Sequence, residues 1–277
     1  MADRLKALFM NEVNDLKVFL TEAARSGTYL YPFQGILYFF YHCSLWQPLI
    51  SKIGPTITLG LAVTTTMFFF TYIPQVAILA FTSGPLAPFS AILLVLSESS
   101  TITNYLSRSF ILRDSLVDIF DGTLVARGET ALVAQGRQIK GSTASDPVAR
   151  LGDVIRKPTK VFSLSSMMRS LMYLPLNMIP VVGTVLYVIS QGKRLGPVTH
   201  ERYFQLKGWD GKKREAWVSA HKAAYTSFGA AAFVLEMVPF ASLAFSYTNT
   251  VGGALWASNL ERSIYKAPTM DQTKKLE

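Results

Sequence analysis

Cysteine is nearly absent from this chain. Cys43 is the only one in 277 residues, which excludes an intramolecular disulfide framework and a thiolate metal cluster. Histidine is almost as scarce, with only His42, His200 and His221, too few to suggest a metal centre. Charge is thin as well. Asp, Glu, Lys and Arg make up 16% of the residues, against about a quarter in a water-soluble domain. Half of the chain is hydrophobic and the mean hydropathy is +0.28. The usual marks of an enzyme are missing too: no His is followed five residues on by Asp, and there is no Gly-x-Ser-x-Gly elbow, P-loop or paired-carboxylate arrangement. The composition points to one membrane-embedded, non-enzymatic unit over residues 1–277, with no cofactor and no metal.

The charge that is present is mostly positive, net +9 with a pI near 9.6. On a soluble chain this balance suggests nucleic acid; on so apolar a chain it points to anionic lipid headgroups and not to nucleic acid. Lys212, Lys213 and Arg214 are the candidate headgroup-binding cluster, inside a basic linker at 193–222. His200, Glu201 and His221 lie in the same linker and are expected to be solvated or to face headgroups. The N-terminal stretch 1–34 mixes acids and bases, unlike a secretory signal. Leu5, Leu8, Phe9, Leu16, Phe19 and Leu20 recur there at helical steps, as in an amphipathic helix.

Charge then vanishes over long stretches. Between Ile53 and Ser107 there is no Lys or Arg, and Glu98 is the only acid. Residues 55–81 are apolar over more than the roughly 20 residues that a span needs; after the uncharged connection TSGPLAP (82–88), residues 89–106 form a second, more hydroxyl-rich segment. The expected pair of membrane helices occupies 55–112. As a helix, 89–106 aligns Ser97, Thr101, Asn104 and Arg108 on one face, with Glu98 beside it. That face belongs against protein or water: either a hydroxyl-glued helix contact or a polar path for a small solute.

Residues 113–169 are mixed and charged, and read as cytosolic or interfacial. Residues 171–191 and 223–260 are apolar again, and each carries the same interruption: LNMIPVVG at 176–183 and LEMVPFAS at 235–242. Proline breaks a helix interior, so Pro180 and Pro239 mark the apices of two re-entrant hairpins, with Gly183 at the end of the first break. Cations outnumber acids on both sides of 171–191, which by the positive-inside rule keeps both flanks on the cytosolic face. Broken backbone at membrane depth needs polar partners. Asn177 and Glu236, each three residues before its proline, are placed to supply them. A polar tail at 261–277 follows. The expected fold class is an all-α integral membrane protein with two long membrane helices, two Pro-broken re-entrant hairpins and amphipathic cytosolic helices.

The order LNMIPVVGTVLY, RYFQLKGW, FGAAAFVLEMVPFASLAF, GGALWA resembles the CysZ / etoposide-induced protein family of membrane proteins, over roughly residues 170–260. The approach to the first span, PFQGILYFFYHCSLWQPLISKIGPTI, is similar as well. IFDGTLVARG, LGPVTHERYFQLKGW and SYTNTVGGALWA look most like the fungal branch, whose members are linked to lipid droplets and the spore wall. The bacterial branch moves sulfate and carries Gly-Leu-Arg before its first span. The corresponding place here reads Gly35-Ile36-Leu37, without the arginine that an oxyanion needs.

The resemblance therefore implies a lipid-interface or structural protein of lipid droplets and endoplasmic reticulum, with phospholipid and neutral lipid as partners. The alternatives are an anion channel or transporter of the plasma membrane, taking a small sulfate-like anion, and distantly a membrane enzyme. Homo-oligomers suit any of these readings. Gly252, Gly253 and Ala254 are expected to let a neighbouring helix approach, and Trp209, Trp217 and Trp256 to anchor segment ends at the interface.

Overall fold

The structure, a computed structural model, describes residues 21–139, 147–154, 182–238 and 241–266. The chain forms two compact units where the sequence suggested one: Met1–Leu45 with Asp118–Glu277, and Trp46–Val117. Both are helical. The only sheet among the described residues is a two-stranded antiparallel ribbon of β1 (Arg137–Ile139) and β2 (Leu151–Val154).

The second unit is a helical hairpin. Its long arm α2 runs from Trp46 to Ser83 and its short arm α3 from Ala87 to Leu106. Apolar residues surround α2, and Ile57, Leu61, Phe69, Phe70, Ile73, Ile78 and Phe81 all stand exposed. A helix apolar all round is the kind found in a membrane or a large core. Pro55 and Pro74 lie inside α2 without ending it. Each removes one backbone donor, a loss that membrane helices tolerate when local groups compensate. The arms join at a short turn, Gly84–Leu86, where Gly84 takes φ +54°, a value costly for any residue with a Cβ. After α3 a π-helical turn, Ser107–Ile111, widens the helix before α4 (Arg113–Ala126) begins.

The first unit is built on two glycine-mediated helix pairs. Helix α1 (Leu30–Tyr41) lies antiparallel to α10 (Ser242–Lys266). A Cβ on Gly35 would stand 2.6 Å from the Gly252 nitrogen, and one on Gly252 2.5 Å from the Tyr31 carbonyl oxygen. Helix α6 (Val182–Thr199) packs in the same way on α9 (Lys222–Glu236). There a Cβ on Gly192 would reach 2.7 Å from the backbone of Thr226 and Ala230, and one on Gly229 2.6 Å from the Gly196 nitrogen. Only glycine permits axes this close.

Around these pairs lie α5 (Thr130–Ala134), α7 (Glu201–Leu206) and α8 (Gly211–Ala220). Phe120 and Leu124 of α4, Val133 of α5, Tyr203, Phe204 and Leu206 of α7, Tyr225 and Phe228 of α9, and Trp256 of α10 form one buried cluster.

This packing corrects several readings of the sequence. Residues 193–222 are not a solvated linker: they finish α6, form α7 and α8, and put Tyr203, Phe204 and Leu206 in the core. Several of their charges lie inside or half-buried because they are paired. Arg202 meets Asp121, Lys207 meets Glu261 and Arg214 meets Glu201. His200 and Glu201 are buried instead of solvated. Trp256 is a core residue stacked on Phe228 and Tyr31; the aromatic cage around it outcompetes any interfacial role. Of the first expected hairpin only 182–191 is described, and it is the start of α6. Asn177 and Pro180 lie outside the described residues, as do 1–20 and 267–277. Of the second expected hairpin, residues 223–238 and 241–260 are described and belong largely to the helices α9 and α10, whose close partners are α6 and α1; Pro239 lies outside the described residues as well.

Candidate functional site

Two surfaces are candidates for contact with lipid. In the second unit, the helical run Cys43–Ile111 reaches a mean hydropathy of 1.9 over its most apolar stretch, of which only 17% is buried. In water such a surface would carry a large hydrophobic penalty, at about 25 cal/mol per Å². The cations nearest to it, Lys52 and Arg108, both sit at the end of the hairpin away from the Gly84 turn. Its one acid is hydrogen-bonded within the hairpin: Gln75 Nε2 donates to Glu98 Oε2 at 2.7 Å. Several outer hydroxyls turn inward on their own helix. Thr58, Thr66 and Thr101 are exposed, yet each donates to the carbonyl four residues back, which suits a side chain facing hydrocarbon.

In the first unit, charge is segregated along the helices. There is no Asp, Glu, Lys or Arg at 26–51, 182–192, 223–235 or 242–260. The C-terminal ends of α1 and α9 and the N-terminal ends of α6 and α10 share one end of the unit, as the antiparallel pairings require. That end shows Leu37, Phe40, Tyr41, Val234, Met237 and Val238 exposed. The charged pairs of Lys207, Glu261, Glu129 and Arg262 lie towards the other end. From Lys222 to Glu236 α9 rises about 22 Å, less than a bilayer core.

Glu236 is the one acid at this otherwise apolar end among the described residues, and is half-buried. Its Oε1 accepts from Asn249 Nδ2 at 3.1 Å and from Ser246 Oγ at 3.4 Å, while the same Asn249 amide also donates to the Ala232 carbonyl at 3.0 Å. The carboxylate thus ties the end of α9 to α10. Gly183 lies in the first turn of α6.

The face expected at Ser97, Thr101, Asn104 and Arg108 is not the buried face of α3. Ser97 and Thr101 are exposed, and Glu98, Asn104 and Arg108 are half-buried. The buried row is Ala87, Ala91, Val95, Ser99 and Ser107, because small side chains at steps of four let α2 approach. Of the expected headgroup cluster, Lys212 and Lys213 are exposed on α8, whose first turn is capped by Asp210 accepting from the Lys213 amide at 2.9 Å. Arg214 is diverted inward, pairing with Glu201 and lying 5.8 Å over the Phe204 ring. Gly35-Ile36-Leu37 serves packing and surface: Gly35 meets α10 and Leu37 is 60% exposed.

Two buried polar networks escaped the sequence reading. Asp121 receives Arg202 in two parallel hydrogen bonds, Nε at 2.9 Å and Nη2 at 2.7 Å, with Arg137 Nη1 3.4 Å away; Arg137 also meets Asp118 at 2.7 Å. His200 is wholly enclosed. Its Nε2 faces the Gly253 carbonyl at 2.9 Å and so carries the proton, leaving Nδ1 to accept from Tyr225 Oη at 3.0 Å. Trp217 Nε1 donates to the same phenol oxygen at 3.2 Å. Burial lowers the His200 pKa to about 4, partly opposed by the Gly253 carbonyl. No spacing in the sequence announces either network, since their members come from different elements.

The comparison with known proteins bears on this arrangement of apolar hairpin and charge-segregated bundle. The chain is similar to two outer spore wall proteins. Outer spore wall protein RRT8 of Saccharomyces cerevisiae (strain ATCC 204508 / S288c) is 23% identical over 190 residues, 64% of this chain and 56% of that protein. Outer spore wall protein LDS1 of the same organism is 23% identical over 240 residues, 86% of this chain and 72% of that protein. The chain thus spans little more than half of the length of the first. No family model matches the chain, so the similarity bears on the fungal side of the resemblance, and the CysZ side rests on the residue pattern alone.

Proposed function

We propose that this chain is a non-enzymatic lipid-interface protein of lipid droplets and endoplasmic reticulum, linked to formation of the spore wall. The observation that carries the reading is the α2–α3 hairpin: a most apolar stretch of which only 17% is buried, an uncharged tip, and both flanking cations at its base. A lipid droplet has one phospholipid layer over neutral lipid, so a resident protein keeps its charges on one side. A hairpin whose tip carries only Thr82 and Ser83 as polar side chains meets that demand. The apolar end of the α1, α6, α9 and α10 bundle, with Leu37, Phe40, Val234 and Met237 exposed, suits shallow entry into lipid, and Lys212 and Lys213 are available to anionic headgroups. The similarity to outer spore wall proteins supports the link to the spore.

The test is imaging of the tagged full chain in yeast cells fed oleate. The expected result is a reticular signal that moves onto droplet surfaces as neutral lipid accumulates. A steady plasma-membrane ring without droplet signal would overturn the reading in favour of the transporter alternative.

A further inference from the structure

Several hydroxyls on the outside and flanks of the α2–α3 hairpin are closed onto their own helix: Thr58, Thr66, Thr71, Thr101 and Ser109 each donate to the carbonyl four residues back, at 2.7–3.1 Å. Those on its inside are not. Thr56, Ser99, Thr103 and Ser107 have hydroxyl oxygens sealed from solvent with no hydrogen-bond partner, and so has the Gln75 Oε1 atom. Ser99 and Ser107 are 1% and 0% exposed and Thr56 6%.

The inner hydroxyls of α3 lie on one face, since Ser99, Thr103 and Ser107 are four residues apart. That face meets α2: a Cβ on Gly60 would stand 3.5 Å from Thr103 Cγ2. Buried polar side chains are almost always hydrogen-bonded, and a row of exceptions calls for a ligand. The carbonyl four residues back is within reach of these side chains too, as Thr101 and Ser109 on the same run show. The seam nevertheless holds its hydroxyls apart from the backbone.

Resting on the membrane reading above, we infer that the α2–α3 seam parts to take up water, forming a hydrated polar cleft between helices whose outer surfaces stay in lipid. Water is the guest the chemistry fits. The lining offers hydroxyls and one amide oxygen, which bind water as donors and acceptors. Along Ser99 and Thr103 the only charge is the nearby Glu98 carboxylate, bound by Gln75. Cations stand only at the base, Lys52 one turn before Thr56 and Arg108 beside Ser107, so an anion deeper in the cleft would find nothing to replace its hydration. Closed, as in this structure, the seam leaves these groups unsatisfied; open, it hydrates them, and the Gly60 contact is the place where close approach is restored.

Single-cysteine forms of the full chain, made in a Cys43→Ser background and reconstituted in liposomes, test this with a charged water-soluble methanethiosulfonate. Ser99→Cys and Thr103→Cys are expected to react at least about tenfold faster than Ala91→Cys, which lies on the same buried face where no orphan hydroxyl stands. Equal rates at the three positions would overturn the proposal. Leu93→Cys, on the outer face, separates the two readings: reaction there as fast as at exposed Ser51→Cys would refute the membrane placement, while the comparison with Ala91→Cys still decides the seam. A Thr103→Val variant guards against misfolded cysteine forms. It is expected to raise the melting midpoint, by removing an unsatisfied hydroxyl; a lowered midpoint would mean that the hydroxyl is bonded within its helix, and would equally overturn the proposal.

Discussion

His200 Nδ1 and Tyr225 Oη stand 3.0 Å apart at the centre of the larger unit, joining the start of α7 to α9. With Gly253 accepting from the other ring nitrogen, the imidazole is neutral, oriented and enclosed by Tyr203, Phe204, Phe228 and Trp256.

That neutrality gives a pH dependence with a definite sign. Burial depresses the folded-state pKa to about 4, from the ordinary imidazole value of 6.5. Unfolded chain therefore takes up a proton in a range where folded chain does not. The contribution is complete above the unfolded value and is lost as the pH falls from about 6.5 to about 4, amounting to about 3 kcal/mol. Thermal midpoints of the detergent-solubilised protein should fall across this window, and His200→Gln should lower the midpoint at neutral pH while flattening the slope.

Asp121 is shared by two guanidinium groups, Arg202 and Arg137, which are themselves 4% and 8% exposed at the side chain. Asp121→Asn leaves both cations buried and is expected to cost about 3–5 kcal/mol. Glu129→Gln, which weakens the half-exposed pair with Arg262, is expected to cost less than about 1 kcal/mol. Chemical denaturation of the two variants checks the order.

The glycines divide by what faces them. Gly229→Ala would put a Cβ 2.6 Å from the Gly196 nitrogen, forcing α6 and α9 apart at a cost of about 1–3 kcal/mol. Gly211→Ala, at the start of α8 with nothing within 4 Å, should stabilise that helix by about 0.5 kcal/mol through helix propensity. Melting midpoints moving in opposite directions are the expected outcome.

Glu236→Gln keeps an acceptor for Asn249 and Ser246 and should leave expression and melting nearly unchanged. Glu236→Leu removes the acceptor and should cost about 1–3 kcal/mol. If Gln behaves like Leu in a stability measurement, the negative charge itself and not hydrogen bonding holds the α9–α10 end together.

Sequence by itself determined the helical class and the apolar segments, because both follow from local properties: runs without Lys or Arg, prolines at fixed places, glycines at helical spacing. The positions of α2 and α3 follow the 55–81 and 89–106 segments closely, and Gly252 meets a helix as its neighbours suggested. The stretch 193–222 misled for a physical reason: Arg202 looks solvated in one dimension and only its partner Asp121 allows it inside, while Lys207 and Arg214 are held half-buried by Glu261 and Glu201. The same holds for His200, whose enclosure depends on residues from α7, α9 and α10. Which face of α3 is buried was likewise a tertiary decision. Polarity marked Ser97 and Thr101, but the close approach of α2 selects the row of small side chains through Ala91, Val95 and Ser99, since the contact is set by side-chain size and not by polarity.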